Sequence, residues 1–281
     1  MPEINWYPGH MAKSRRMLEE QMRGIDAVIE LCDARAPLST RNPILGPLCR
    51  GKARVLVLNK ADMASDAQTK AWIDYYRNQG MFAVKFTATG GKTKEILSFI
   101  EEATRPAVER MRQRGANKTV RLMVIGVPNV GKSTLINRLR GNAVVKTADR
   151  PGVTRTKQWV KVGPYLEMLD TPGMLWPKLE DQEIAKTLAY LGSIRDQIMD
   201  GEELAGDLLR RLMDIAPNPT CARFKLPEEA VDMKSYELLE AAAKGRGYLL
   251  SGGRLNTERA AAVVLDEFRA GKVGKITLER P

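Results

Sequence analysis

One stretch limits the fold more than any other: "VRLMVIGVPNVGKSTLIN", beginning at Val120. An apolar, β-branched run gives way to a loop carrying Gly126 and Gly131, and the loop opens into a helical pattern. Residues 120–129 read as a buried strand running into a glycine-bearing turn. Three further runs have the same texture: "AVIELCD" (27–33), "ARVLVLNK" (53–60) and "FAVKF" (82–86). Between them, "SDAQTKAWIDYYRNQG" (65–80) and "KTKEILSFIEEATRPAVERMRQ" (92–113) carry helical spacing, the first from a Ser65 N-cap to Gly80. "QWVKVG" (158–163) and "YLEMLD" (165–170) read as a hairpin turned by Gly163 and Pro164. Strands alternating with helices specify a mostly parallel, doubly wound α/β sheet.

After about residue 178 the texture changes. "EDQEIAKTLAYLGSIRD" (180–196), "GEELAGDLLRRLMDIA" (201–216), "PEEAVDMKSYELLEAAAKG" (227–245) and "NTERAAAVVLDEFRAG" (256–271) are amphipathic with helical period. The chain of 281 residues therefore divides into an α/β domain over 1–178 and a small all-α domain over 179–281.

Charge separates the two parts. Residues 1–180 hold 30 lysines and arginines against 17 acids, and residues 181–281 hold 15 against 17. A basic excess confined to one part suits a polyanionic partner, although a merely soluble basic protein would look the same. The basic crossover Arg105, Arg110, Arg112, Arg114, Lys118 and Arg121 reads first as a solvated helix face. No apolar run approaches the ~18 residues of a membrane span. "MPEINW" lacks the basic and apolar regions of an export signal, so a cytoplasmic location is expected. Cys32, Cys49 and Cys221 are odd in number and far apart, which fits a reducing compartment and offers no disulfide framework or metal site.

The chemistry is concentrated in short motifs. "GVPNVGKS" (126–133) matches G-x-x-x-x-G-K-[ST] between a strand and a helix. Backbone N–H groups around Asn129, Val130 and Gly131 cradle phosphates, with Thr134 in the helix's first turn. Lys132 neutralises the β- and γ-phosphates, and the Ser133 hydroxyl takes a Mg²⁺ position. "DTPG" (170–173) follows a strand; Asp170 can hold Mg²⁺ through water and the Gly173 amide can reach the γ-phosphate. "RPGVTRT" (150–156) offers Thr154 as a second hydroxyl ligand, with Thr156 as the fallback. "NKAD" (59–62) supplies Asp62, whose carboxylate can accept from the guanine ring N–H and amine, while Asn59 and Lys60 brace and cover the base. A site built on such bonds can reject the wrong base by roughly 10⁴–10⁵. "TAT" (87–89) stands where a second base-contacting loop belongs, with Thr87 at its start and the Ala88 amide as donor to guanine O6. Together these point to GTP and GDP.

Their order is unusual. Asn59–Asp62 precedes the phosphate loop by more than sixty residues, whereas ordinary G domains place the guanine motif last. The sequence therefore specifies a circularly permuted G domain, in which the segment after Gly173 runs straight into the helical domain.

On "WYPGHMAK", "DAR", "NKAD", "GVPNVGKSTLIN", "RPGVTRTKQWVKV", "MLDTPGMLWPK" and "GGRLNTERAAAVVLDEFRAGKVGKITLE", the chain resembles the ribosome biogenesis GTPase A family, the YlqF/RbgA type. The resemblance covers essentially the whole length. It implies a cytoplasmic GTPase that assists late assembly of the large (50S) ribosomal subunit, binds the precursor particle and its rRNA, and is stimulated by it. The C-terminal helices resemble an RNA-binding domain, and a monomer is expected when the protein is free. Small-subunit permuted GTPases carry an extra barrel and a Cys/His zinc module, whereas this chain has no room for the barrel and no cysteine cluster. The different-class alternative is a GTP-dependent RNA- or membrane-binding switch with negligible turnover.

Where many GTPases place a water-orienting glutamine, this chain has Met174. Asn129 resembles the asparagine with which related GTPases bind K⁺; bracing of the loop is the other reading. His10, the single histidine, reads from its neighbours as a helix cap on a tail anchored by Trp6, Tyr7 and Pro8. The resemblance, in which this motif's histidine serves particle-stimulated hydrolysis, makes it a candidate catalytic residue beside Lys132, Thr154 and Gly173. Lys13, Arg15, Arg16, Arg35 and Arg41, with Lys244, Arg246 and Arg254, are candidates for an RNA-facing surface.

Overall fold

A computed structural model of the chain describes residues 16, 18–43, 45–87, 90, 93–115, 119–140, 159–162, 166–169, 181–194 and 199–281. Six strands form one sheet: β1 Ala27–Asp33, β2 Ala53–Asn59, β3 Phe82–Lys85, β4 Val120–Ile125, β5 Trp159–Lys161 and β6 Leu166–Leu169. Their order is β3-β2-β1-β4-β6-β5. All neighbours are parallel except the edge pair β5–β6, the expected hairpin. β1 lies between β2 and β4 and is buried along its whole length, which is why it reads as a continuous apolar run rather than an alternating one.

The sequence breaks at β1's centre with Glu30, only 1% exposed. Its carboxylate pairs with Arg54 and, at 3.4 Å, with Arg41, and accepts the Asn42 amide N–H at 3.1 Å. A buried carboxylate survives because both oxygens are engaged. The pairs tie the segment after β1 down onto the sheet.

Successive β1 side chains serve opposite faces. Ala27, Ile29 and Leu31 join the main core with Val55, Val57, Leu122 and Val124. Val28 packs with Leu18, Met22, Met123 and Ile125, and Cys32 packs with Leu56, Leu58, Trp72 and Tyr76. The flanking helices are the one-turn α1 Leu45–Leu48, α2 Asp66–Asn78, α3 Lys94–Gln113 and α4 Lys132–Arg140. Ser65 caps α2 as expected, accepting from the Gln68 N–H, and Gly80 follows the helix at φ 77°. α3 buries Ile96, Ile100 and Thr104, all before its internal Pro106. Beyond it Arg110, Arg112 and Arg114 are exposed, a solvated face for this part of the basic crossover; Lys118 lies outside the described residues.

Strand ends fall short of the periodicity. β2 stops at Asn59 rather than at residue 60 because Lys60 takes a left-handed backbone, φ 58°. β4 stops at Ile125 rather than at residue 129 because the loop begins at Gly126.

The second part is helical: α5 Gln182–Tyr190, α6 Gly201–Ile215, α7 Pro217–Phe224, a 3₁₀ turn Glu228–Asp232, α8 Ser235–Gly245 and α9 Thr257–Arg269. Leu204, Leu208, Leu209 and Leu212 of α6 are fully buried and α6 packs against α8 and α9. α7 escapes the periodicity reading because "PNPTCARF" is short and carries two prolines, yet Pro217 sits in the helix's first turn, where a missing N–H costs nothing. The main core runs through both parts, from Ile29 and Val124 in the sheet to Leu208 and Phe268 in the helices.

After α9 the chain returns to the sheet as a strap. The Ile276 N–H donates to Met63 O at 3.1 Å and the Leu278 N–H to Arg35 O at 2.7 Å. The Trp72 indole N–H donates to Glu279 O at 3.2 Å, and the Glu279 carboxylate accepts the Leu38 and Ser39 N–H groups. Among the described residues no helix is long and apolar enough to cross a membrane.

Candidate nucleotide-binding site

The loop from Gly126 to Gly131 joins β4 to α4. Gly126 runs so close to β1 that a Cβ would lie 2.5 Å from the Leu31 carbonyl oxygen. Asn129 is left-handed at φ 63° and Gly131 at φ 95°; a Cβ on Gly131 would stand 2.4 Å from Asn59 Nδ2. Positive φ at Asn129 and Gly131, in a loop that opens a helix, is the backbone pattern that suits an anion cradle at a helix N-terminus. Lys132 is 8% exposed, and its ammonium donates to the carbonyls of Gly126 at 3.2 Å and Val127 at 3.1 Å. Ser133 and Thr134 are exposed on the first turn of α4, which holds no acidic residue.

The guanine motif reaches the same place from β2. Asn59 donates from Nδ2 to Val130 O at 2.7 Å across 71 residues of sequence, while its Oδ1 is buried without a partner among the described residues. Expected to brace a base, Asn59 here braces the phosphate loop. Lys60 turns its ammonium to Asp33, with Nζ 3.0 Å from Oδ2. Asp62 is exposed. The Ala61 N–H donates to Phe86 O at 3.2 Å and the Phe86 N–H to Leu58 O at 2.8 Å, which brings half-buried Thr87 alongside the motif. Ala88, His10, Thr154, Asp170, Gly173 and Met174 lie outside the described residues.

Beneath Lys60 sits the pair Asp33 and Arg35. Arg35, expected on an RNA-facing surface, is 1% exposed. Its guanidinium and backbone N–H bond Asp33, and Nη1 donates to Phe268 O at 2.9 Å and Arg269 O at 3.2 Å at the end of α9. Burial alone would raise the Asp33 carboxyl's pKa, but Arg35 and Lys60 hold it well below the aspartate range. Arg41 is half-buried, paired with Glu30 and lying over the Tyr76 ring at 4.8 Å. Arg246 is tied to Glu267 at 3.0 Å, whereas Arg16, Lys244 and Arg254 are exposed. Lys13 and Arg15 lie outside the described residues. Asp and Arg two apart at the end of a strand buried along its whole length were the available signal.

The helical part also reaches the phosphate loop. Asn129 donates from Nδ2 to Gly192 O at 2.6 Å, and the Ser193 hydroxyl donates to Pro128 O at 2.8 Å. Both partners lie in the turn that closes α5. Nothing in "LGSIRD" marks them as neighbours of a phosphate loop.

The phosphate loop and the guanine motif, joined by Asn59 in an order reversed along the chain, define the class: a circularly permuted P-loop GTPase. A family model described as 50S ribosome-binding GTPase matches residues 121–219. Ribosome biogenesis GTPase A of Priestia megaterium is 44% identical, covering 99% of this chain and 97% of the relative. Mitochondrial ribosome-associated GTPase 1 of Bos taurus is 32% identical over 98% of this chain and 88% of its own. Two solved structures, GDP-bound YlqF and GNP-bound YlqF from T. maritima, superpose with TM-scores of 0.69 and 0.68 at 27% and 26% identity. They cover 95% and 96% of this chain, and 99% and 98% of theirs. The chain belongs to the ribosome biogenesis GTPase A family.

Proposed function

We propose that this GTPase is an assembly factor for the large ribosomal subunit, acting late on the precursor particle and stimulated by it. The bond from Asn59 to Val130 carries the nucleotide part of the reading, because it fixes the base-reading motif against the phosphate loop. The ribosomal part is supported by the relatives' names, and the basic excess of residues 1–180 suits an rRNA partner.

Asp62, which is exposed, reads the guanine edge; the Lys60 stem covers the ring, and Thr87 and the Ala88 amide serve as the second base-contacting loop. Asn129, Val130, Gly131 and Thr134 surround the phosphates, and Lys132 neutralises the β- and γ-oxygens. Ser133, exposed where α4 begins, fits a Mg²⁺ ligand, and Thr154 and Asp170 are the other residues that would hold the ion. Bound there, Mg²⁺ offsets charge on the phosphate oxygens. Asn129 commits its amide nitrogen to Gly192, so only its oxygen serves a K⁺ ion, and faster turnover in K⁺ than in Na⁺ checks that role. The Gly173 amide meets the γ-phosphate. With Met174 unable to orient water, His10 does so once the particle is bound. The protein acts as a monomer in the cytoplasm, in keeping with three unbridged cysteines.

GTP turnover with and without large-subunit precursors tests this. The native protein is accelerated by particles, and His10→Ala loses about 10²-fold of that accelerated rate with GDP affinity unchanged. Turnover indifferent to particles contradicts the proposal, and stimulated turnover that survives His10→Ala removes the histidine from it.

A further inference from the structure

We infer that Asp33 and Arg35 are positioning residues for the guanine-reading loop, holding Lys60 in place from the end of α9. The inference rests on the reading of Lys60 as the cover of the base.

β1 and β2 are in register so that Asp33 stands opposite Asn59, and the Ala34 N–H donates to Asn59 O at 2.8 Å. The next residue, Lys60, adopts a left-handed backbone, a conformation that persists in a non-glycine residue only when its surroundings determine it. A free lysine side chain would sample many rotamers; this one ends on Asp33 Oδ2 at 3.0 Å and is 22% exposed. Both Asp33 oxygens are filled. Oδ1 accepts the Arg35 backbone N–H and Nε–H at 3.0 Å each, and Oδ2 accepts Nη2–H at 2.9 Å.

Arg35 is itself fixed. Besides its two bonds to the α9 carbonyls, it lies over the Phe268 ring at 5.3 Å, and the strap bonds its carbonyl through the Leu278 N–H. Cations suit the C-terminal end of a helix. Arg269 in turn donates to the carbonyls of Ala189 and Tyr190 at the end of α5. The Lys60 anchor is thus bolted to two helix ends of the second part. A buried Asp–Arg pair is seldom more stabilising than apolar residues of the same volume. What apolar residues could not supply here is a fixed anionic oxygen beside the loop.

The test is nucleotide affinity in the full-length protein, read with fluorescent GDP and with inosine diphosphate as competitor. Asp33→Asn removes the anionic oxygen and is expected to weaken GDP about tenfold, the effect of one charge-assisted bond. The ring face carries no edge information, so GDP and inosine diphosphate weaken by the same factor, and kcat at saturating GTP is unchanged. Asp62→Asn, by contrast, changes their ratio.

Lys60→Met alone also weakens GDP. In the Lys60→Met background Asp33→Asn adds less than about twofold, because the two act through one contact. A full tenfold loss in both backgrounds, or none in the native one, overturns the inference. Unchanged affinity in Lys60→Ala, which removes the stem, overturns instead the reading of Lys60 on which the inference rests. If Asp33→Asn does not fold, Arg35→Lys, which keeps a cation for Asp33 but cannot fork, goes through the same cycle. Its smaller loss of affinity must vanish in the Lys60→Met background, and a loss that persists there counts against the inference.

Discussion

Two glycines carry the phosphate loop through places no other residue fits. Gly131 combines φ 95° with a neighbour 2.4 Å from any Cβ, and that neighbour is the Asn59 amide that joins the two motifs. Gly131→Ala therefore separates phosphate loop and guanine motif together. It is expected to cost about 1–3 kcal/mol of stability and to abolish GDP binding, checked by thermal unfolding and equilibrium titration. A variant that binds GDP normally would contradict the tight approach.

Asp33 gives a second residue-scale expectation. Its folded pKa is depressed by Arg35 and Lys60. Such a group contributes stability above the unfolded pKa, about 4, and that contribution is lost as pH falls from there toward the folded value. Between pH 5 and pH 3 the native melting temperature should fall more steeply than that of Asp33→Asn. Equal slopes would mean the pairs do not persist in solution. At this scale the phosphate-loop residues were legible because their spacing is local. The fates of Asn59, Lys60 and Arg35 were not, since each is decided by a partner on another strand or helix.

Among elements, strands and long helices follow from periodicity, while β2 ends at the left-handed Lys60 and β4 at the close approach of Gly126 to Leu31, neither of which periodicity carries. The strap after α9 carries no helical or strand signal of its own, although "KITLE" buries Ile276, Thr277 and Leu278. Its value is in single bonds to distant residues. Glu279 serves the amides of Leu38 and Ser39 and the Ser39 hydroxyl. Glu279→Ala leaves the buried Ser39 N–H unserved and is expected to cost about 1–3 kcal/mol, measured by denaturant unfolding. A loss below about 0.5 kcal/mol would show that the strap does not hold the loop in solution.

For the molecule as a whole, the sequence made the second, helical part and the charge imbalance visible, but not how that part docks. Docking depends on contacts at two corners of the nucleotide site: Gly192 and Ser193 on the phosphate loop, and the α9 carbonyls on Arg35 beside the guanine motif. A ligand that prefers one arrangement of these corners must shift the affinity of whatever binds the helices, and the reverse holds by the same amount. Particle binding and nucleotide state are therefore expected to be linked. The direct measurement is sedimentation of the full-length protein with large-subunit precursors, in GDP and in a non-hydrolysable GTP analogue. Clear enrichment on the particle is expected with the analogue and little with GDP; equal sedimentation in both would contradict the linkage.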